Sequence, residues 1–224
     1  MSDRQIQELR RRLGGRTKRQ LIEGMIVRSP HSGATEKMVK ALEVFPLLIL
    51  LLAHDHPTKI WILDRGETPS SAGILNDEVR ARRWHSKGRA IDDCEGLTDV
   101  VDNYVAVVVS WKTTLVMRHE FAHAATTFIA PAVRSELERL FRNARGRGRF
   151  VEPLASESLG EYVACAMSYY FFPDLKEQLR EIDHELHDLI EHMFQQAEMI
   201  SLAIAPVIPI APGVQNHIVP VHAS

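Results

Sequence analysis

The arrangement of hydrophobic and polar positions predicts both helices and strands in the first half of the chain. A helical pattern begins at a capping residue, Thr35, and continues through the apolar stretch at residues 44–53, where Pro46 predicts a kink. Two runs rich in β-branched residues follow, KIWILD at 59–64 and NYVAVVVS at 103–110. Both runs are short, apolar and bounded by polar or turn residues, so they predict buried strands.

Other patterns in this half are weaker. VRARRW at residues 79–84 alternates as an edge strand does, whereas residues 85–100 are polar and irregular. Near the start of the chain, residues 5–13 predict a short helix, and Gly14 and Gly15 predict a flexible connection after it. The sheet is therefore expected to be small.

The second half of the chain shows helical patterns only. Helices are expected at residues 111–129, 132–143, 156–171 and 174–203. Ser110 or Thr113 is available to cap the first of them, and a loop with four arginines is expected at residues 142–149. The order of elements predicts an α+β fold in which a small mixed β-sheet is followed by a helical C-terminal half.

Length and composition fit one globular domain with short additions. The 224 residues are 45% hydrophobic and 25% charged, which is ordinary for a folded domain of this size. We divide the chain into a basic N-terminal extension (residues 1–30), a domain (residues 31–204) and a Pro-rich tail without charged residues (residues 205–224).

Charge and cysteine content argue against several partners. A net charge of −2 gives no reason to expect a membrane surface, and the N-terminal arginines lack the interleaved aromatics typical of nucleic-acid binding. The apolar stretch at residues 44–53 is about half of the ~20 residues that a membrane helix needs. With two cysteines and no apolar N-terminal segment, the protein is expected to be soluble and cytoplasmic.

The chemistry of the chain is concentrated in MRHEFAH at residues 117–123. On a helix, His119 and His123 lie on one face, one turn apart, and can bind one metal ion. Glu120 is rotated by about 100° and can act on a water molecule beside that ion, as metal-assisted hydrolysis requires. The alternative is a pair of ordinary histidines on an amphipathic helix.

Two histidines need a third protein ligand. In a metzincin, glycine and histidine would follow where Thr126 and Ile129 stand, so that class is excluded. The remaining solution is a carboxylate on a later helix, for which SESLGEYVACAMSYYFF offers Glu161 and, as the second choice, Glu157. Cys165 shares their helix face and could support a ligand or replace one.

Two segments, VVVSWKTTLVMRHEFAHA and GEYVACAMSYYFFPDL, together resemble the zincins of the anthrax lethal factor catalytic-domain type. That group includes the Pro-Pro endopeptidases and the Mlc titration factor peptidases, and the resemblance covers roughly residues 103–180. It implies a zincin-like fold with the motif on its active-site helix, and Zn²⁺ bound by His119, His123 and Glu161. It also implies that Glu120 serves as general base and acid, and that the substrate is a peptide or protein.

Two departures from this group bear on activity. Cys165 stands where several members carry a glutamate, and Leu154 stands where they carry a tyrosine that stabilises the oxyanion. Arg149 and Tyr104 are the candidates to replace that tyrosine. Two hypotheses follow: a zinc-dependent endopeptidase, or a catalytically weak or inactive zincin-fold protein that acts as a regulatory binding module. No sequence feature indicates an oligomeric state.

Overall fold

The structure is a computed structural model that describes residues 1–72, 92, 94–101 and 103–205. The strands are β1 (Ile26–Arg28), β2 (Thr58–Leu63), β3 (Gly96–Val101) and β4 (Tyr104–Ser110). The helices of the described part are α1 (Asp3–Leu13), α2 (Lys18–Met25), α3 (Ser32–Leu42), α4 (Leu47–Asp55), α5 (Thr114–Thr126), α6 (Pro131–Arg147), α7 (Leu159–Tyr169), α8 (Pro173–Ile182) and α9 (His184–Ile204).

The four strands form one mixed sheet in the order β1-β2-β4-β3. β1 and β4 are parallel to β2, and β3 is antiparallel to β4. The helices α3 and α4 form the crossover that a parallel pair such as β1 and β2 requires. This architecture confirms the predicted α+β class with a small mixed sheet and a helical second half.

The sheet separates a large core from a small one. The residues of β2 and β4 that face the helices are Ile60, Ile62, Val105, Val107 and Val109. The opposite face carries a small cluster of Trp61, Leu63, Val101, Ala106 and Val108. Directly opposed residues of paired strands share a face, so Gly96 opposite Val109 and Thr98 opposite Val107 both point toward the helices. This places two residues of β3 against α5.

Residues 1–30 are folded against the rest of the chain. Capping boxes at Ser2 and Thr17 begin α1 and α2, and β1 extends the sheet. The residues of this segment that lie in the main core are Leu13, Leu21, Ile22 and Met25. The connection at Gly14 and Gly15, expected to be flexible, is a defined turn in which both residues have positive φ. The division into extension, domain and tail stays a prediction.

The helix predicted from Thr35 through residue 53 is two helices. The first begins earlier than predicted, because His31 caps α3 by accepting a hydrogen bond from the backbone N–H of Ala34 at 3.1 Å. Pro46 precedes α4 as its N-cap. Proline has no amide hydrogen and disfavours a helical residue before it, so the helix ends and restarts here rather than bending.

The strand β3 lies in the segment that was expected to be irregular, residues 85–100. Gly96 and Thr98 lie on the helix side of this strand and Asp99 lies on the other side, so the strand has no continuous apolar run. It is instead held by its pairing with β4, in which Val101 is opposite Tyr104. Local hydrophobicity does not reveal such a pairing between two strands that are close in the chain.

Two helix boundaries in the second half also differ from the prediction. The expected loop at residues 142–149 is mostly helical, because α6 continues to Arg147 and ends at Gly148, which has a φ of 61°. The long helix expected at residues 174–203 is divided at Asp183. The side chain of Asp183 accepts a hydrogen bond from the N–H of Leu186 and so begins α9.

Two predicted segments lie outside the described residues: the edge strand at 79–84 and the tail after residue 205. In the part of the chain that the structure describes, no helix combines the length and the apolar character needed to cross a lipid bilayer.

Candidate metal centre

Helix α5 follows β4 almost directly and carries both histidines of the motif. Thr113 caps it, accepting a hydrogen bond from the backbone N–H of Val116 at 3.3 Å. His119 and His123 lie one turn apart on the side toward α7, and their ring centroids are 4.8 Å apart. The strand therefore fixes where the helix starts, and the helix fixes the spacing of the two rings.

Glu161 comes to these histidines from the first turn of α7. Ser158 caps that helix, and its hydroxyl accepts a hydrogen bond from the N–H of Glu161 at 3.1 Å. Glu161 Oε2 lies 3.0 Å from His119 Nε2 and 3.3 Å from His123 Nε2, and the two nitrogens are 3.1 Å apart. The structure thus brings the three expected ligands together. Glu157, the second choice, precedes α7 and is not part of this triangle.

The triangle has the dimensions of a tetrahedral metal site. Bonds of about 2.0–2.1 Å to nitrogen and oxygen place the ligand atoms of tetrahedral zinc ~3.3–3.4 Å apart. The three separations of 3.0, 3.1 and 3.3 Å are close to that value. Two imidazoles and one carboxylate leave a fourth position for water or substrate, which is typical of catalytic rather than structural zinc sites.

The electrostatics of the triangle favour a bound cation. Burial alone raises the pKa of Glu161, but hydrogen bonds from His119 and His123 and the charges of both rings bring it down to about 2. Burial lowers the pKa of His119, yet the hydrogen bond to Glu161 and the nearby carboxylates raise it overall. Groups that stabilise a proton in this way also stabilise a divalent cation in its place.

Glu120 borders the same cavity and is held by β3. Thr98 Oγ1 lies 2.8 Å from Glu120 Oε2 and 2.8 Å from the Glu120 carbonyl oxygen. A Cβ on Gly96 would lie 2.5 Å from Glu120 Cγ, so the glutamate side chain rests on the glycine backbone. Burial raises the pKa of Glu120, although the two histidines and the Thr98 hydrogen bond oppose the shift. A buried carboxylate of this kind is suited to accept and return a proton.

Cys165 contacts His119 from the side away from the triangle. Its Sγ lies 3.9 Å from His119 Nδ1, whereas Glu161 faces Nε2 of the same ring. Ligand atoms of His119, Glu161 and Cys165 do lie within 4.8 Å of one another. Burial, followed by the charge of Glu152, raises the pKa of the Cys165 thiol, so the thiolate form that binds metals is disfavoured. Cys165 therefore lies beside the His119 ring, and the supporting role expected for it stays a prediction.

A cavity of about 260 Å³ opens at the triangle. His119, Glu120 and Glu161 line it, together with Leu154 and Glu152. Among the described residues that line it there is no arginine, lysine or tyrosine. The carboxylate of Glu152 also lies near Tyr169, where burial and then this carboxylate raise the pKa of the tyrosine to about 12.

The structure does not bring Arg149 or Tyr104 to the cavity. The Arg149 guanidinium donates to the carbonyl oxygen of Glu181 at 3.4 Å, on the far side of the α6–α7 connection. Tyr104 packs beside Trp61, with ring centroids 5.9 Å apart, on the sheet face opposite the helices. Neither residue is among the described residues that line the cavity, so the expectation that either one stabilises an oxyanion gains no support and stays a prediction.

Arg118, which precedes His119 in the chain, supports helix α5 in a way that the sequence analysis missed. This buried side chain donates to the carbonyl oxygens of Ala41 at 3.0 Å and Phe171 at 3.2 Å. Its guanidinium also lies 4.4 Å from the ring centroid of Phe172. It joins α5 to the end of α3 and to the end of α7. No sequence pattern distinguished it from the polar residues His119 and Glu120 that follow it.

Comparison with known proteins bears on the fold. No protein-family model matches the sequence, and no curated protein does either. The fold is similar to that of a Pro-Pro endopeptidase. The PRO-PRO endopeptidase PPEP-2 from Paenibacillus alvei has a TM-score of 0.58 and 20% sequence identity. The match covers 78% of this chain and 100% of that one. The resemblance to this group is thus supported at the level of the fold, and the zincin-like architecture is confirmed.

Proposed function

We propose that the protein is a zinc-dependent endopeptidase. The observation that carries the proposal is the triangle of His119 Nε2, His123 Nε2 and Glu161 Oε2, with sides of 3.0–3.3 Å, at a cavity that Glu120 also lines. The fold of a Pro-Pro endopeptidase supports a peptide or protein as the substrate. A cytoplasmic location stays a prediction.

In this proposal His119, His123 and Glu161 hold Zn²⁺, and Glu120 transfers the proton. The bound ion would supply Lewis acidity, which polarises a carbonyl group and makes water easier to deprotonate. Glu120 accepts the proton from the attacking water and then donates it to the nitrogen of the leaving amine. Leu154, Leu115 and Val116 give the cavity an apolar wall beside these groups.

The substitution Glu120→Gln tests the proposal directly. It keeps the size and shape of the side chain but removes the proton acceptor, so peptide cleavage is expected to fall by roughly 10²–10⁴-fold while one zinc per chain remains bound. His123→Ala is expected to lose both zinc and activity. Glu138→Gln, at an exposed position on α6, is the matched control and keeps both. Wild-type protein that binds no zinc and cleaves no peptide in a broad library would refute the proposal.

A second candidate function is a zincin-fold regulatory module with little or no activity. It is favoured by the cavity lining, because a peptidase site usually has a donor for the oxyanion and Leu154 offers none. The same variants separate the two functions. If the wild type and Glu120→Gln bind zinc equally and neither cleaves peptide, the regulatory module is the better description.

A further inference from the structure

The carboxylate of Glu120 is held by an adjacent strand rather than by its own helix. Thr98 Oγ1 is 2.8 Å from Glu120 Oε2 and equally close to the carbonyl oxygen of the same residue. One hydroxyl therefore contacts both the end of the side chain and the main chain from which it starts. The single hydroxyl hydrogen is shared between the two oxygens, and rotation of the Glu120 side chain would break the contact to Oε2.

Gly96 completes the arrangement on the other side of the carboxylate. A Cβ at this position would lie 2.5 Å from Glu120 Cγ and 2.8 Å from Oε1, closer than real Cβ atoms come to any neighbour. Gly96 and Thr98 are two residues apart on the same face of β3. The absence of a side chain at Gly96 thus leaves room for the carboxylate, and the hydroxyl of Thr98 contacts it there.

We propose that Thr98 is a positioning residue for Glu120: its hydroxyl holds Oε2 and so fixes the carboxylate at the cavity where the attacking water would bind. The inference rests on the proposed peptidase function for its catalytic consequence, but the positioning itself does not depend on zinc. Among the described strands, β3 lies at one end of the sheet. Through Gly96 and Thr98 it connects the sheet to the proposed proton acceptor on α5.

Three substitutions test whether the hydroxyl of Thr98, rather than the shape of its side chain, positions Glu120. Thr98→Val keeps the shape and removes the hydroxyl, Thr98→Ser keeps the hydroxyl, and Val100→Thr makes the reverse exchange on the same strand face at an exposed position. For Thr98→Val we expect kcat to fall roughly 10- to 100-fold, with KM and zinc content little changed. Thr98→Ser recovers most of kcat, and Val100→Thr behaves as the wild type.

Two kinetic outcomes would overturn the inference. The first is full kcat in Thr98→Val, and the second is equal loss in Thr98→Val and Thr98→Ser, which would point to shape rather than the hydroxyl. If Thr98→Val does not fold, Thr98→Ala makes the same comparison against Thr98→Ser.

A crystal structure of each variant without metal gives a readout that needs no activity. The Glu120 carboxylate is expected to stay against Gly96 in Thr98→Ser and to leave that position in Thr98→Val. An unchanged Glu120 conformation in Thr98→Val would refute the positioning role. If wild-type protein cleaves no peptide, the proposed function fails, while these structures still decide the role of Thr98.

Discussion

The contact between Gly96 and Glu120 makes Gly96→Ala the most informative single substitution. The added Cβ would lie 2.5 Å from Glu120 Cγ, whereas ordinary van der Waals contact begins at 3.4 Å, so the two groups must separate by 0.9 Å. Gly96 cannot easily retreat, because β3 is paired along its length with the central strand β4. The displacement therefore falls mainly on the Glu120 side chain.

A shift of about 1 Å in a catalytic group typically costs ~10²-fold in rate, and overfilling a packed site typically costs about 1–3 kcal/mol of stability. We expect both effects in Gly96→Ala, measured as kcat/KM on a cleaved peptide and as the free energy of unfolding in urea with chelator present. Gly160→Ala is the matched control. A Cβ there would lie 3.5 Å or more from its neighbours, including 3.6 Å from His123 Nδ1, so rate and stability should be maintained. A Gly96→Ala protein with wild-type rate and stability would refute the close packing of Glu120 on β3.

Three further predictions concern the metal ligands and the packing of α7. Glu161→Ala should abolish stoichiometric zinc binding in equilibrium dialysis, whereas Glu157→Ala should retain it. The reverse result would identify Glu157 rather than Glu161 as the third zinc ligand. The pKa of His119 lies above its ordinary 6.5, and a bound zinc ion must displace that proton. Zinc affinity should therefore fall as the pH falls through this pKa. A competition assay that shows constant affinity from pH 8 to about 6 would contradict this. Tyr162→Phe removes the hydroxyl that donates to Asp183 Oδ2 at 2.5 Å, and losing this partner of a buried carboxylate should cost about 1.5–3 kcal/mol in chemical denaturation. The cost should be smaller in Tyr170→Phe, because that hydroxyl makes only a long contact of 3.4 Å with Glu191; equal costs in the two variants would contradict this.

The sequence predicted those parts of the candidate site that depend on residue spacing within one helix. His119 and His123 belong to one helix and their spacing alone places them on one face, and the GEYVACA segment identified Glu161 through a resemblance covering a second helix. The structure brings these residues together as expected, although their roles stay predictions. The boundaries of α5 and α7 were correct to within a few residues for the same reason.

The sequence failed where tertiary contacts decide the structure. Thr98 and Glu120 are 22 residues apart, and nothing in their spacing shows that a hydroxyl on one meets the carboxylate of the other. β3 has too few apolar residues to be recognised without its partner strand. Tyr104 was a candidate for the oxyanion, but alternation along β4 turns it to the face opposite the helices.

The division of the ligands between α5 and α7 has a consequence for the lifetime of the protein. Glu161 stands 42 residues after His119, so an ion held by both closes a reversible crosslink between the strand-bearing half of the chain and its helical half. Free zinc at a thousand times its dissociation constant would add about 4 kcal/mol to the folded state, a large share of the ~5–15 kcal/mol that a domain usually has. Loss of the ion would open this crosslink, and cellular proteases would then remove the unloaded chains first.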